Sequence, residues 1–418
     1  MMPADTAEAQ ILELVVPLDS RRDTETVPLL EATGRILSES VISPLDFPHW
    51  DNSAMDGYAV RYEDVATATA DTPIALTVIE DIPAGKPPQC SVGVGQAARI
   101  LTGAMVPPGA DTIVIQEDTE RVGDRVRILA APEPRAFIRA KGTYRRAGER
   151  VLAVGSEVAP PEMAVLAAVQ RTEVQVYRRP RVAILSTGNE LVLPHEPLQP
   201  GQIVDSNQYA LAALVQQMGG IPLCQGIVSD DPQQLEAAIA AAVESADLVL
   251  SSGGVSVGDY DYVDAILAAL GATLHIRSVA VKPGKPLTVA TFPKRTPPLL
   301  YFGLPGNPVS ALVSFWRFVA PALRKLSGRA DNWAAPFVTA RSRHPLKAGG
   351  KRETYLWGQL YATPTGFEFG LAAGSHSSGN LINIVGTQGL AVVPIGVTAL
   401  EAGAPVRVLW LGRDWQQG

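Results

Sequence analysis

Apolar runs of strand length alternate with helix-like spacing over residues 179–328. The runs "RVAIL", "DLVLSS" and "LLYFGL" predict buried strands, and "SNQYALAALVQQMGG" and "DDPQQLEAAIAAAVESA" predict helices between them. Ser206 and Asp231 stand at N-cap positions of these helices, and Gly219 or Gly220 stands where the first helix should stop. The alternation predicts a doubly wound, mostly parallel α/β sheet.

Shorter β-rich runs flank this region on both sides. Residues 46–136 contain "IALTVIE", "AARILTG", "DTIVIQED" and "DRVRILA", which are cut by Gly and Pro and predict an inserted β domain. Residues 329–418 contain "RETYLWGQLYA", "GLAVVP" and "PVRVLWLG", which predict a C-terminal β domain. Helix-like spacing covers residues 7–18, 27–40 and "PPEMAVLAAV". The fold class is therefore multidomain α/β plus β.

Composition limits which classes of partner the protein can have and indicates its cellular compartment. The chain has 418 residues, 46% of them apolar, which is enough for several cores. A net charge of −7 disfavours nucleic acid as a partner. Two distant cysteines predict neither a disulfide framework nor a zinc site and indicate a reducing, cytoplasmic setting. The chain shows neither a signal-peptide pattern nor a membrane-span pattern, so we expect no membrane partner.

Four predicted strands of the α/β region end in small polar, glycine-rich or acidic turns. These turns are "STGNE" (186–190), "SDDP" (229–232), "SSGGVSVG" (251–258) and "LPGNP" (304–308). A single turn of this kind is most simply an ordinary connection between a strand and a helix. In a parallel sheet, however, all four would lie at the edge where ligands bind, and their glycines and N–H groups suit an anion. The set therefore predicts a binding site.

Motifs of other enzyme classes do not occur in the sequence. No G-x-x-x-x-G-K-[ST] is present, and no G-x-G-x-x-G opens a helix after a strand, which disfavours P-loop kinases and dinucleotide dehydrogenases. The five histidines show no metal-ligand spacing, and no Ser/His/Asp or Cys/His arrangement indicates a catalytic nucleophile.

Acids and lysines accompany the four turns. The acids in or beside them are Glu190, Asp205, Asp230, Asp231, Asp259 and Asp261. Carboxylates near a phosphate suit Mg²⁺, although capping is the better interpretation of Asp231, and Asp261 could either start a helix or face the ligand. In "VKPGKP", Lys282 and Lys285 flank a Pro-Gly turn that could direct both ammonium groups at one tetrahedral anion, or could be a solvated basic loop.

The chain resembles a known family at these same residues. The matching stretches are "PHWDNSAMDGYAVR", "ILTGAMVPPGADTIVIQED", "AILSTGNEL", "GQIVDSNQYAL", "SSGGVSVGDYDYV", "VKPGKP" and "LPGNPVSALVSF". In this combination and order they are similar to the molybdopterin molybdenumtransferases, which include bacterial MoeA proteins and the gephyrin E domain.

The resemblance implies a four-domain homodimer. Residues 1–45 and 137–178 would form an elongated dimerisation domain, 46–136 the inserted β domain, 179–328 the domain that binds molybdopterin, and 329–418 the C-terminal domain. The cleft would lie between the α/β domain of one subunit and the C-terminal domain of the other. The implied reaction inserts molybdate into adenylylated molybdopterin, releases AMP and uses Mg²⁺ as its cofactor.

The resemblance also assigns site residues. The catalytic residues would be Asp56, Thr102, Glu190, Asp230, Asp261, Lys282 and Lys285, with Asp261 and Asp230 as metal ligands. The substrate-binding residues would be Asp205, Ser206, Asn207, Gly253, Gly254, Ser256, Pro305, Gly306 and Asn307. The molybdate site would consist of Lys282, Lys285, Pro286, Arg352 and Ser378.

Two departures from the family pattern fall in the C-terminal region. The family often has G-R-x-x-F-x-R-G, whereas "KRETYLWG" keeps Arg352 and has Trp357 where the second arginine would stand. In "GSHSSGNLIN", Ser378 aligns best with the family's serine, with Ser375 and Ser377 as alternatives. Two other functions stay open: a molybdopterin adenylyltransferase, which the extra domains disfavour, and a non-enzymatic scaffold, which the acids and lysines disfavour. The choice between molybdate and tungstate also stays open.

Overall fold

The computed structural model describes residues 1–253, 260–412 and 416–417, without the side chains of residues 260–262, 416 and 417. It divides into two compact units. The large unit contains Met1–Glu39, Val154–Pro160 and Glu173–Gly418, and the small unit contains Ser40–Ala153 and Pro161–Thr172. The small unit is therefore inserted in the sequence of the large one.

The N-terminal part of the chain is built mainly from short strands. Its elements are α1 (Ala4–Leu14), β1 (Thr24–Pro28), β2 (Val41–Ile42), β3 (Asn52–Ser53), β4 (Gly57–Val60), α2 (Tyr62–Val65), β5 (Ile74–Ile82), β6 (Gln96–Ile100), β7 (Thr112–Ile115), β8 (Thr119–Val122), β9 (Arg125–Ile128), β10 (Ile138–Arg139), β11 (Arg150–Leu152), α3 (Pro160–Ala168) and β12 (Glu173–Tyr177). In the small unit, six strands pair in the order β7-β4-β6-β5-β9-β8, which confirms the predicted β-rich segment.

The helix predicted over residues 27–40 is wrong. The chain forms β1 and a short 3₁₀ turn at Leu29–Glu31 instead. Strand β1 pairs antiparallel with β12, with Val27 opposite Val174, so a distant partner fixes the local conformation. Leu30, which contributed to the helical pattern, is 90% exposed and belongs to no buried face.

The central part of the chain alternates strands and helices as predicted. Its elements are β13 (Arg181–Thr187), β14 (Leu191–Val192), β15 (Ile203–Val204), α4 (Asn207–Gln217), β16 (Ile221–Val228), α5 (Pro232–Ser245), β17 (Leu248–Ser252), α6 (Tyr260–Ala269), β18 (Thr273–Ser278), β19 (Val281–Lys282), β20 (Pro286–Phe292), β21 (Leu299–Leu304), α7 (Pro308–Ser314) and α8 (Ala320–Leu326). A π-helical segment, Phe315–Val319, joins α7 to α8.

One six-stranded sheet organises this part in the order β16-β13-β17-β21-β20-β18. The first four strands are parallel, whereas β20 runs antiparallel to both of its neighbours. Alternate residues of β13 enter two separate cores: Val182 and Ile184 lie with α1 and α4, and Ala183 and Leu185 lie with α5. Helices thus cover both faces, as in a doubly wound sheet.

The C-terminal part is made of strands. They are β22 (Phe337–Ser342), β23 (Leu346–Lys347), β24 (Glu353–Thr363), β25 (Gly366–Leu371), β26 (Gly389–Val393), β27 (Ala399–Leu400), β28 (Pro405–Trp410) and β29 (Gln416–Gln417). Strands β24, β25, β22, β28 and β26 pair in succession, and β26 pairs again with β24, so these five form a closed ring. Strand β19 adds to β24 and thereby joins the lysine segment to this ring.

The helices of the protein are short. The longest described one, α5, has 14 residues. Within the ranges given above, no helix is both long enough and apolar enough to cross a membrane.

Candidate active site

The four predicted turns do meet at one edge of the sheet. Strands β16, β13, β17 and β21 are neighbours and parallel, and their last residues are in register, with Thr187 opposite Val228, Ser186 opposite Ser252, and Ser252 opposite Leu304. Their carboxyl ends therefore form one row, which is the position where open parallel sheets bind ligands. The expectation that the described strand ends share one edge is confirmed, and ligand binding at that edge stays a prediction.

Reciprocal hydrogen bonds join the first two turns. The backbone N–H of Asn189 donates to Oδ2 of Asp230 at 3.1 Å, and the backbone N–H of Asp230 donates to Oδ1 of Asn189 at 3.2 Å. The side chains of Glu190 and Asp230 are exposed at this edge. The geometry thus holds two carboxylates on adjacent turns where a ligand could reach them.

The side chain of Asn207 joins the other two turns. Its Nδ2 donates to Oγ of Ser252 at 2.6 Å and to the carbonyl oxygen of Gly306 at 2.8 Å. Pro305 also contributes, because its carbonyl oxygen accepts a 3.5 Å hydrogen bond from Ser252. A single amide at the start of α4 thereby fixes the ends of β17 and β21 relative to each other.

Glycine is required where β17 ends. Gly253 has φ of +98°, and a Cβ there would lie 2.1 Å from the carbonyl oxygen of Thr187. A Cβ on Gly306 would in turn contact the Cα of Gly253 at 3.4 Å. Gly253 therefore has no room for a side chain, whereas the contact at Gly306 is an ordinary van der Waals contact. Asn307 is exposed and follows as the N-cap of α7 without a side-chain capping bond.

The predicted cap of α4 is one residue off. Ser206 has helix-like angles (φ −94°, ψ −22°) and makes no side-chain capping bond. Asp205 makes that bond instead, because its Oδ1 accepts from the N–H of Gln208 at 3.2 Å. Asp205 is only 2% exposed, so this carboxylate mainly supports the loop. By contrast, Asp231 caps α5 as predicted and accepts from Gln234 at 2.9 Å.

The lysine turn presents two cations, Lys282 and Lys285. Lys282 is exposed, and Lys285 and Pro286 are half-buried. Among the described residues, neither ammonium group forms an ion pair. Gly284 between them has φ of +103°, and a Cβ there would lie 2.8 Å from Oγ of Ser314. The close approach of Gly284 to Ser314 therefore fixes the turn against α7.

Residues of the C-terminal part reach this turn within one chain. Arg352 donates from Nη1 to the carbonyl oxygen of Val281 at 3.3 Å, and Lys282 is paired with Thr354 across β19 and β24. Ser378 accepts at its carbonyl oxygen from the N–H of Val309, 3.1 Å away in the first turn of α7. These contacts join the C-terminal part to the lysine turn of the same chain, and the expectation that the cleft also takes residues from a second subunit stays a prediction.

The small unit brings two predicted residues together. The N–H and the hydroxyl of Thr102 both donate to Oδ1 of Asp56, each at 2.7 Å. The backbone bond, followed by the hydroxyl bond, lowers the pKa of the Asp56 carboxyl below its usual value. Asp56 is thus held as an exposed, ionised carboxylate.

Some predicted residues cannot be placed. Gly254, Ser256 and Asp259 lie outside the described residues, and so does the side chain of Asp261. In the described part of the chain, no three His, Cys, Asp or Glu side chains form a metal-binding group. Mg²⁺ typically takes only one or two protein carboxylates together with substrate oxygens, and the exposed Asp230 fits such a site.

Comparison with known proteins identifies the family. Models described as "MoeA N-terminal region (domain I and II)", "Probable molybdopterin binding domain" and "MoeA C-terminal region (domain IV)" match residues 2–169, 183–325 and 339–411. A molybdopterin molybdenumtransferase of Nostoc sp. is 58% identical over 97% of this chain and 93% of its own. The chain belongs to the molybdopterin molybdenumtransferase family.

Other members of the molybdopterin molybdenumtransferase family agree in extent and fold. The molybdopterin molybdenumtransferase of Haemophilus influenzae is 36% identical over 88% of each chain. The crystal structure of a molybdopterin biosynthesis MoeA protein from Pyrococcus horikoshii OT3 superposes with a TM-score of 0.83 at 29% identity, and the match covers 98% of this chain and 100% of that one.

Trp357, which replaces an arginine of the family pattern, lies in the core. Its side chain is fully buried, and its ring packs on the ring of His376 with centroids 4.2 Å apart. Trp357 Nε1 and His376 Nδ1 are both buried without a hydrogen-bond partner among described atoms. No role for His376 was expected from the sequence, although its position between Ser375 and Ser377 could have indicated that it packs beside the predicted serine loop. The pair packs beneath the loop that contains Ser375 and Ser377, and Trp357 supplies no positive charge where the family pattern has an arginine.

Proposed function

We propose that this protein is a Mg²⁺-dependent molybdopterin molybdenumtransferase that inserts molybdate into adenylylated molybdopterin and releases AMP. One observation carries the proposal. The lysine turn, Arg352 and the start of α7 are linked by backbone contacts within the same unit that holds the four-turn edge. Relatives that match over nearly the whole chain are named for this activity.

The turns after β13, β16, β17 and β21 hold the adenylylated pterin. Backbone N–H groups at the edge would donate to phosphate oxygens, glycine lets the backbone approach them closely, and the amide of Asn207 keeps the turns in place. Ser206, Asn307 and the residues around Gly253 and Gly306 line this part of the cleft. The turns therefore determine how the phosphoanhydride is oriented.

Asp230 and Asp261 would hold the metal, and Glu190 would be a further catalytic residue of this site. Bound there, Mg²⁺ would polarise the phosphoanhydride and offset the negative charge that develops as AMP leaves. The bond from Asn189 to Oδ2 of Asp230 keeps that carboxylate in one orientation before substrate arrives. Asp56 and Thr102 are assigned to the same cleft through their match to the family pattern.

Lys282 and Lys285 hold molybdate, with Pro286, Arg352 and Ser378 around it. Two neighbouring cations that form no ion pair with the described residues are a strong electrostatic site for a dianion, and they would hold the oxyanion next to the dithiolene sulfurs. Trp357 contributes no charge here, so this protein would bind molybdate with one arginine fewer than the family pattern provides. Ser378 is assigned over Ser375 and Ser377 because its backbone touches α7.

A four-domain homodimer completes the proposal. The domains would be residues 1–45 with 137–178, 46–136, 179–328 and 329–418, and the protein would act in the cytoplasm. A monomeric mass by light scattering at micromolar concentration, with full activity, would contradict the dimer.

The proposed function is tested by measuring AMP release from adenylylated molybdopterin. We expect release that requires Mg²⁺ and increases on addition of molybdate, together with molybdenum bound to the product. A protein that binds the substrate but releases no AMP under any of these conditions would contradict the proposal. Net synthesis of adenylylated molybdopterin from ATP would instead identify an adenylyltransferase.

A further inference from the structure

The large unit contains a cavity that the proposed reaction does not use. It has a volume of about 360 Å³, and its wall carries five arginines: Arg35, Arg178, Arg179, Arg324 and Arg329. We call it the arginine cavity. Its volume falls in the range of roughly 300–1,000 Å³ that is usual for small-molecule sites.

The arginine cavity lies at the opposite edge of the sheet from the four turns. Arg178 and Arg179 directly precede β13, whereas the proposed active site follows the end of that strand. The last turn of α4 and the following Gly219 also line the cavity. Because α4 runs back towards the amino ends of the parallel strands, its last turn lies at the same edge as Arg178 and Arg179. A ligand in the cavity would therefore not occupy the turns.

Three of the five arginines, Arg35, Arg178 and Arg329, form ion pairs with acids. Arg178 forms a bidentate pair with Asp247, at 2.7 and 2.9 Å, and donates from Nε to Asp23 at 3.0 Å. Arg35 pairs with Glu25 and is 8% exposed. The pairs of Arg178 and Arg35 form a rigid wall, because each guanidinium is held by more than one described contact.

Two other arginines have no carboxylate partner among the described residues. Arg179 donates from Nη1 to the carbonyl oxygen of Gly219 at 3.4 Å. Arg324 donates from Nη1 to the carbonyl oxygens of Trp333 and Ala334, both at 3.2 Å. A guanidinium has five N–H donors, so most donors of both groups remain available to a ligand.

Burial makes the uncompensated charge costly. Burial lowers the pKa of Arg324, and it also lowers the pKa of Arg329, which pairs with Glu157. Five arginines line the cavity, whereas Glu157 is its acidic lining residue among those described. A partly buried cation is stabilised when an anion completes its hydrogen bonds.

We propose that the arginine cavity binds a small phosphate-bearing molecule that carries at least two negative charges. Guanidinium groups match phosphate oxygens in bidentate geometry, and the cavity has more room than a single phosphate needs. Arg179 and Arg324 would supply the direct contacts, and the paired arginines would hold the surrounding wall.

The test is isothermal titration of the full-length protein with inorganic pyrophosphate in Mg²⁺-free buffer. We expect pyrophosphate to bind the arginine cavity in the unaltered protein and with similar affinity in Lys285→Ala, whose proposed molybdate site is impaired. Arg179→Gln and Arg324→Gln should each weaken binding about tenfold or more, because each removes a charge-assisted contact. Arg341→Gln is the matched control, since Arg341 is exposed, donates to the carbonyl of Gly403 and lies outside the cavity.

Three results would overturn the proposal. These are absence of binding at millimolar pyrophosphate, equal affinity of the Arg179 variant and the Arg341 control, and loss of binding in Lys285→Ala alone. The last result would place the anion at the lysine turn. Arg179 is exposed and makes one long hydrogen bond, so its variant should fold even if Arg324→Gln does not. No arm of this test uses AMP release, so its outcome is independent of the proposed reaction.

Discussion

The side-chain amide of Asn207 lies 2.6 Å from Oγ of Ser252 and holds the end of β17 against the start of α4. The same nitrogen donates to the carbonyl of Gly306, so one side chain sets the spacing of two turns of the proposed binding site. This relationship makes Asn207 a positioning residue as well as a predicted substrate-binding residue.

Asn207→Ala should weaken binding of adenylylated molybdopterin and lower the denaturant midpoint. Two hydrogen bonds are lost and their acceptors are left without this donor, at a cost of about 1–3 kcal/mol. Asn207→Asp should be worse for binding, because a carboxylate oxygen would face the Gly306 carbonyl and the incoming phosphates. Equal substrate affinity in the two variants and the unaltered protein would mean that the turns keep their spacing without this amide.

Gly253→Ala should destabilise the protein more than Gly271→Ala. Both residues have positive φ, +98° and +83°, so both substitutions carry a backbone cost of about 1–3 kcal/mol. Only at Gly253 would the new Cβ also meet a carbonyl oxygen, at 2.1 Å, whereas Gly271 has open space. Thermal unfolding of both variants measures the difference, and equal shifts in Tm would show that Gly253 has room for a side chain.

Asp230→Asn should raise the Mg²⁺ concentration needed for half-maximal AMP release without lowering stability. The substitution keeps an oxygen that can accept from Asn189 but removes the negative charge that a metal requires. Asp231→Asn is the matched control, because asparagine caps a helix as well as aspartate does. A Mg²⁺ titration that Asp230→Asn leaves unchanged would argue against this residue as a ligand.

Acid should destabilise the protein partly through His376. Burial lowers the pKa of His376 from its ordinary value of 6.5, although its hydrogen bond to the Ala372 carbonyl acts in the opposite direction. The unfolded chain then binds this proton more readily, so stability falls as pH drops below about 6.5 toward the folded pKa.

His376→Phe keeps a ring against Trp357 and removes the titration. The denaturant midpoint should therefore fall less between pH 7 and pH 5 in this variant than in the unaltered protein. His195→Phe, at an exposed position, controls for the loss of a histidine in general. Parallel pH profiles for the His376 variant and the unaltered protein would contradict the assignment.

Local sequence patterns predicted the strand-turn-helix units well because their signals are local. The length of an apolar run, helical spacing, a capping residue such as Asp231 and a helix-ending residue such as Gly219 each report on a single element. Once the strands are parallel, the turns that follow them lie at one edge of the sheet. The helix predicted over residues 27–40 failed because β12, far along the chain, determines β1. The cap of α4 was misplaced by one residue because both Asp205 and Ser206 can cap, and only backbone angles distinguish them.

Contacts between residues that are distant in the chain could not be predicted from the sequence. The sequence showed that Trp357 replaces an arginine, but burial of this ring against His376 depends on the closed ring of strands. The contact of Arg352 with Val281 inside one chain likewise depends on β19 joining β24. The arginine cavity collects residues from distant segments, so no motif could indicate it.

Molybdate titration of AMP release in Lys285→Ala tests the central claim most directly. Removing one charge-assisted contact to a dianion should raise the half-maximal molybdate concentration roughly tenfold to over a hundredfold, which corresponds to about 1.5–3 kcal/mol, while affinity for adenylylated molybdopterin changes much less. Lys347→Ala, at an exposed lysine on β23, should leave the curve unchanged. Superimposable curves for Lys285→Ala, Lys347→Ala and the unaltered protein would contradict the account, because the lysine turn would then have no part in holding molybdate.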